Sequence, residues 1–362
     1  MKSLRSTVLK FAAYAFYVAL VYSATSCAAQ TPAGKLLALS KGNHTLAVVE
    51  PATLKVIVKL PVGADPHEVI ASSDGSRAYV SIYGGGSLHE IDVLDLVNMK
   101  ALTPIDTKPF FGPHGLTFAG GKLWFTAEGS KCVARLDPAT NSVDWAMGTG
   151  QNRTHMIYVT PDLKHVYTTN VSSGTVSILA DTLIQGFGPP PGAPPAGGPP
   201  AGAPPPGFRP QPRHDWVQTV VPVSTGSEGF DVSPDGKQLW TAAADDGTIA
   251  VVDLPSKKVV DKIDAKVFGA NRLQFTPDGK LVLISSLRNG DIVVYDAATR
   301  KEVKKINIGH GAAGILMQPD GSRAFVGCTP DNYVAVIDLK TLTVTGRINV
   351  GNGPDGLAWA SK

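Results

Sequence analysis

From residue 228 onward, one alternation of apolar and polar runs comes back at a near-constant spacing. A short apolar run ends in a turn such as "SPDG" (233 to 236), "TPDG" (276 to 279) or "QPDG" (318 to 321). A second run follows, as in "QLWTAAA" or "RAFVGC". A polar loop such as "DDG" or "RNG" then gives way to a third, "TIAVVDL" or "DIVVYDA". The fourth, "KVVDKID" or "EVKKINI", mixes polar and apolar positions and suits an outer edge. Runs of this length rich in Val and Ile read as strands, and a Pro-Asp-Gly turn combines a fixed φ with a residue tolerant of φ > 0. Four short strands per unit of about 40 residues predict a propeller blade.

Aligned on the opening of the first strand, the unit occurs seven times: "PHEV", "PHGL", "THMI", "SEGF", "ANRL", "AAGI" and "PDGL". The aligned residues are His67, His114, His155, Glu228, Asn271, Ala313 and Asp355, with successive spacings of 47, 41, 73, 43, 42 and 42. The long interval contains residues 186 to 213, almost entirely Pro, Gly and Ala, which predicts a disordered insertion in the third blade. Residues 35 to 60 hold strands two to four without a first, and the C-terminal "GLAWA" is a first strand without successors. Joined, they predict a closing blade shared by the chain ends, and hence an all-β, seven-bladed β-propeller forming a single domain over residues 30 to 362.

The N-terminal 29 residues do not fit this pattern. Lys2, Arg5 and Lys10 flank and precede the apolar stretch "FAAYAFYVALVY", followed by "SATSCAAQ", which reads as a signal peptide. The apolar stretch is short for a span. An exported protein, periplasmic or extracellular, is expected, and "ATSC" allows lipidation at Cys27 as an alternative to simple cleavage. Without this segment 30 Lys and Arg face 30 Asp and Glu, so the net charge is near zero and nucleic acid is an unfavoured partner. Cys132 and Cys328 lack paired spacing and read as small buried residues. A monomer is expected.

The repeat units "SPDGKQLWTAAADDGTIAVVDLPSKKVV", "TPDGKLVLISSLRNGDIVVYDAATRKEV" and "QPDGSRAFVGCTPDNYVAVIDLKTLTV" resemble the YVTN-type seven-bladed β-propellers, which include exported proteins of the YncE kind. The resemblance implies the fold over nearly all of residues 34 to 362. It leaves function open, because related propellers include binding proteins, lactonases and enzymes that hold haem or copper.

First strands line the channel of a propeller, so the aligned residues are expected to form one ring at its mouth. His67, His114 and His155, from consecutive blades, are candidate ligands for a divalent metal, zinc or copper, with Glu228 as fourth ligand or general base. The plain alternative is three solvated polar residues at a channel mouth. Asn271, Asp355, His310, Arg153 and Arg272 are further candidates for ligand binding, the two arginines as clamps for a carboxylate or phosphate. Loops between second and third strands, with Glu128 and Lys131 among them, are expected on the same face. No GxSxG, P-loop, HExxH or CxxCH motif occurs. Two readings follow: a binding or scaffold propeller that captures a small ligand or peptide, or a metal-assisted hydrolase of lactonase type.

Overall fold

The computed structural model describes residues 33 to 185 and 211 to 361. They form seven antiparallel sheets around an axis. The innermost strands are Pro66–Ala71, Pro113–Ala119, Thr154–Val159, Ser227–Val232, Ala270–Phe275, Ala312–Met317 and Pro354–Ala360, in blades one to seven. Blade seven is the shared one: Pro354–Ala360 pairs with Lys35–Ser40, bringing residue 360 opposite residue 35. In blade one the outer strand is split into Lys100–Ala101 and Ile105–Asp106, both on Glu90–Asp95. Pro104 lies in the gap, where a residue without an N–H breaks the ladder.

Each sheet is buried on both faces, which explains why second and third strands are continuous apolar runs. Leu239 packs toward blade three and its neighbour Trp240 toward blade five. Apolar clusters of this kind fill every blade-to-blade interface, the one between blades seven and one being built on Leu37, Leu46, Val80 and Ala358. Outer strands instead alternate exposed and half-buried positions, as in Lys55–Pro61. The turns also follow the sequence reading: Asp235 accepts hydrogen bonds from the Ser233 hydroxyl (2.6 Å) and the Lys237 N–H (3.1 Å), with Gly236 at φ +70°.

Blade three carries the longest hairpin, Thr175–Ile184 paired with Arg213–Pro222 out to Ile184 opposite Arg213. Arg213, expected to end the insertion, instead begins a strand, because its ladder continues past the blade. The remainder of the Pro/Gly-rich stretch, residues 186 to 210, lies outside the described residues, as do the signal segment and Cys27. Among the described residues no helix is long and apolar enough to cross a membrane. Cys132 and Cys328 are buried free thiols, each pushed up to about 11 mainly by burial.

Candidate functional site at the channel mouth

The inner strands share one irregularity. In blade one Pro66 pairs with Ile82 and Val69 with Val80, so His67 and Glu68 together oppose Ser81. The same shift occurs at Thr154/Ile157, Ser227/Phe230, Ala270/Leu273 and Ala312/Ile315. A β-bulge re-aims side chains at the rim of a sheet, and here it falls at the aligned position.

The three histidines meet, as the repeat implies. The rings of His67 and His114 are 4.9 Å apart, and those of His114 and His155 are 3.8 Å apart and tilted by 32°. His114 Nε2 lies 3.2 Å from His67 Nδ1. They are not, however, arranged around a common point. His155 gives Nδ1 to Glu128, and its Nε2 lies 2.9 Å from Glu228 Oε1, close but off the hydrogen-bond direction. His67 Nε2 is shared between Asp65 Oδ1 (3.0 Å) and Lys41 Nζ (2.8 Å). Among the described residues no group of three His, Cys, Asp or Glu is placed to hold a metal ion. The divalent-metal expectation is thereby corrected: the imidazoles face carboxylates, Lys41 and one another, and the two nitrogens left without a hydrogen bond, His114 Nδ1 and His155 Nε2, are enclosed.

Their protonation follows from these partners. Burial works against charge on His155, but Glu228 and Glu128 outweigh it and raise its pKa, favouring an imidazolium. His114 is lowered well below an ordinary histidine by burial and by the neighbouring cationic groups, so it is neutral. His67 is lowered by burial and Lys41, against the pull of Asp355 and Asp65. Burial alone would raise Glu228, yet His155, Arg272 and Arg153 hold it far below the usual carboxylate range. A carboxylate so held is a weak base.

A second ring position supplies the partners. Lys41, Tyr83 and Glu128 each follow the second strand of their blade, in blades seven, one and two. Each reaches the ring histidine of the next blade: Lys41 reaches His67, Tyr83 packs edge-on against His114 at 5.1 Å, and Glu128 binds His155. Tyr83 also donates its hydroxyl to Glu128. In blades three to five the same position holds Val171, Ala244 and Leu287. Sequence reasoning placed Glu128 only as a loop residue and missed Lys41, Asp65, Glu68 and Tyr83. The repeat carried a signal for Lys41 and Tyr83, since polar residues stand at this step in four consecutive blades, Thr329, Lys41, Tyr83 and Glu128.

Backbone conformation carries another. Two residues before the ring, Gly112, Gly226, Gly269, Gly311 and Gly353 have φ between +58° and +79°. Asp65 (φ +58°) and Arg153 (φ +56°) stand there in blades one and three despite their Cβ atoms. Both touch the site: Asp65 binds His67, and Arg153 lies 3.6 Å from Glu128 and 3.8 Å from Glu228.

The residue after the ring is glycine in four blades because the next inner strand is too close for a side chain. A Cβ on Gly115 would lie 2.4 Å from the His155 carbonyl oxygen, and one on Gly229 2.5 Å from that of Asn271. Glu68 and Arg272 depart from glycine, and their side chains form an ion pair from blade one to blade five. Arg272, expected to clamp a ligand, is 8% exposed and committed to Glu68 and the Asn271 carbonyl. Burial pushes the Glu68 carboxyl up, with Arg272 opposing.

Asn271 donates to Glu228 Oε2 at 3.0 Å, and Asp355 lies 3.4 Å from Lys41. Ala313 contributes no polar group. His310 stands apart, 81% exposed at its side chain and paired only with Asp331. Three buried atoms on the ring have no hydrogen-bond partner: His114 Nδ1, His155 Nε2 and Asn271 Oδ1.

With this geometry in view, residues 210–322 match the family model described as "Cytochrome D1 heme domain". The matched stretch holds Glu228, Asn271, Arg272 and Ala313 and none of the three ring histidines. No curated protein matches the chain. Among solved structures, a putative 6-phosphogluconolactonase from Bacteroides fragilis is similar at 15% identity and TM-score 0.68, covering 91% of this chain and 99% of that one. Kuenenia stuttgartiensis hydrazine synthase is similar at 16% identity and TM-score 0.64, covering 82% and 90%. Dihydro-heme d1 dehydrogenase NirN in complex with DHE is similar at 16% identity and TM-score 0.59, covering 88% of this chain and 64% of that one. Likeness at such identities concerns the fold, and the YVTN resemblance likewise stands at the level of a seven-bladed β-propeller.

Proposed function

We propose that this chain is an exported binding propeller whose channel mouth takes a small hydroxylated organic acid. The observation that carries the reading is the pair of accessible cationic side chains at the mouth, Arg153 and Lys41, beside the His155–Glu228 contact. Glu228, 20% exposed at its side chain and held by the Asn271 amide, is placed to accept from the ligand's hydroxyls. Arg153, 45% exposed at its side chain, and Lys41 offer cationic groups for the ligand's carboxylate. Binding is preferred to hydrolysis because Glu228 is a weak base and no side chain at the mouth is an evident nucleophile.

The test is calorimetric titration of the purified chain with D-gluconate. Saturable one-to-one binding, weakened at least tenfold by Arg153→Met and by Asn271→Ala, supports the reading. Unchanged affinity in both variants rejects it, and turnover of glucono-δ-lactone would favour the lactonase alternative.

A tetrapyrrole is the second reading, favoured by the heme-domain match over residues 210–322. The residues do not fit iron ligation: His67 has both ring nitrogens engaged, His155 Nε2 is enclosed against Glu228, and His114 Nδ1 is enclosed. A tetrapyrrole would be held here through its carboxylates by Arg153 and Lys41, without an imidazole on the metal. Haemin titration distinguishes the two modes, since a histidine-ligated absorption spectrum would overturn this assignment.

A further inference from the structure

Below the ring, the Glu68–Arg272 pair crosses the channel and separates the mouth from a cavity of about 350 Å³. Its walls are apolar toward Ile70, Leu116, Leu316 and Trp359, and polar toward Asp231 and Gln274. Asp231 and Gln274 occupy the same step of adjacent inner strands and share a structural task. Asp231 Oδ2 accepts the Phe275 N–H at 2.8 Å, and Gln274 Oε1 accepts the Met317 N–H at 3.1 Å. A neutral amide therefore suffices to clip one inner strand to the next. The carboxyl at 231 also accepts the adjacent Val232 N–H through Oδ1 at 2.8 Å, and its charge, half-buried in the cavity wall, is costly unless a cation joins it.

No protein cation does so. On the strands packed against Ser227–Val232, His155 is held by Glu128 and Glu228, Arg272 by Glu68, and His165 stacks on Tyr167 at 6.1 Å. Tyr158 and Tyr167 are the remaining titratable neighbours, both phenols raised by burial and that of Tyr158 also by Asp231 itself. We propose that the lower channel is a second binding site, separate from the mouth, for a small organic amine with an apolar body, anchored by the Asp231 carboxylate. The volume suits a ligand of benzylamine size, and pockets of this kind combine apolar walls with one directing polar group.

The site has a pH signature. Burial pushes Asp231 up to about 7, against the pull of the Phe275 and Val232 N–H groups. An ammonium ligand favours the ionised carboxyl, so affinity rises as pH increases through about 7 and levels off above it.

The experiment is titration of the full chain with benzylamine between pH 5.5 and 8.5, by calorimetry and by the fluorescence of Trp359 in the cavity wall. One-to-one binding that strengthens several-fold from pH 6 to 8 is expected. Asp231→Asn, which keeps an acceptor for the Phe275 N–H, should weaken it at least tenfold and flatten the pH profile. Leu316→Phe, which fills the cavity and leaves Asp231 intact, should also abolish binding and guards against misfolding of the first variant. No saturable binding, pH-independent affinity, or affinity unchanged in both variants would overturn the proposal.

Discussion

His67, His114 and His155, from blades one to three, pack ring against ring, whereas blades four to six offer a carboxylate, an amide and a methyl at the same step: Glu228, Asn271 and Ala313. Their backbones are alike, bulged at the same place. What differs is the neighbour. Lys41, Tyr83 and Glu128 reach over to the histidines, while Val171, Ala244 and Leu287 bring no hydrogen-bonding side chain to the other half. Each half nonetheless keeps a buried atom without a hydrogen bond, His114 Nδ1 and His155 Nε2 in one and Asn271 Oδ1 in the other, so the reaching residues set charge more than they complete the hydrogen bonding. The lesson is that a propeller mouth is built in two rings, and the second decides which polar residues of the first carry charge.

The largest effect should come from the pair that ties the halves together. Arg272→Met leaves Glu68 buried without its cation and should cost about 3–5 kcal/mol in chemical denaturation. Adding Glu68→Leu should restore most of that loss. A single variant as stable as the wild type would break the view that the pair is closed off from solvent.

Close approach of the inner strands is the next test. Gly115→Ala places a Cβ 2.4 Å from the His155 carbonyl oxygen and 2.8 Å from the Met156 Cα, both backbone atoms that cannot rotate away. A loss of about 1–3 kcal/mol is expected, with displaced imidazole signals in NMR spectra. Undisturbed histidine signals would show that the strand spacing does not set the ring.

Stacked His114 and His155 should show opposite pH linkage. His155 has a raised folded pKa, so its contribution is full below about 6.5, the unfolded value, and is lost as pH rises through the folded one. His114 is depressed, so its contribution is present above about 6.5 and is lost as pH falls toward its folded value. Stability should peak between the two. Glu128→Gln should lower the His155 pKa in NMR titration and flatten the alkaline limb of the stability profile. An unchanged alkaline limb would separate His155 from Glu128. The smallest effect is expected at His310, which touches none of the ring: His310→Ala should leave both the melting temperature and gluconate binding unchanged, and weaker gluconate binding would draw that loop into the site.

Much of this molecule was legible as a periodic text. Strand order, the Pro-Asp-Gly turns and the shared closing blade depend on local φ/ψ preferences and on apolar runs buried on both faces, which repeat every 40 residues or so and survive without an alignment. The ring was legible for the same reason, since one repeat position becomes one circle in a closed propeller. The protonation of that ring was not. Three aligned histidines suggested a metal, but whether an imidazole is free depends on residues of the preceding blade, tens of positions away. Arg272 shows the same limit: beside the ring it looked like a clamp, yet its partner Glu68 is 204 residues distant in sequence. The deviations from glycine at 65, 68, 153 and 272 were visible in the repeat, and only closure of the circle paired them. Repetition specifies where a side chain stands along its own strand, and its charge is set by desolvation and by opposing charges that the tertiary structure alone brings within a few ångströms.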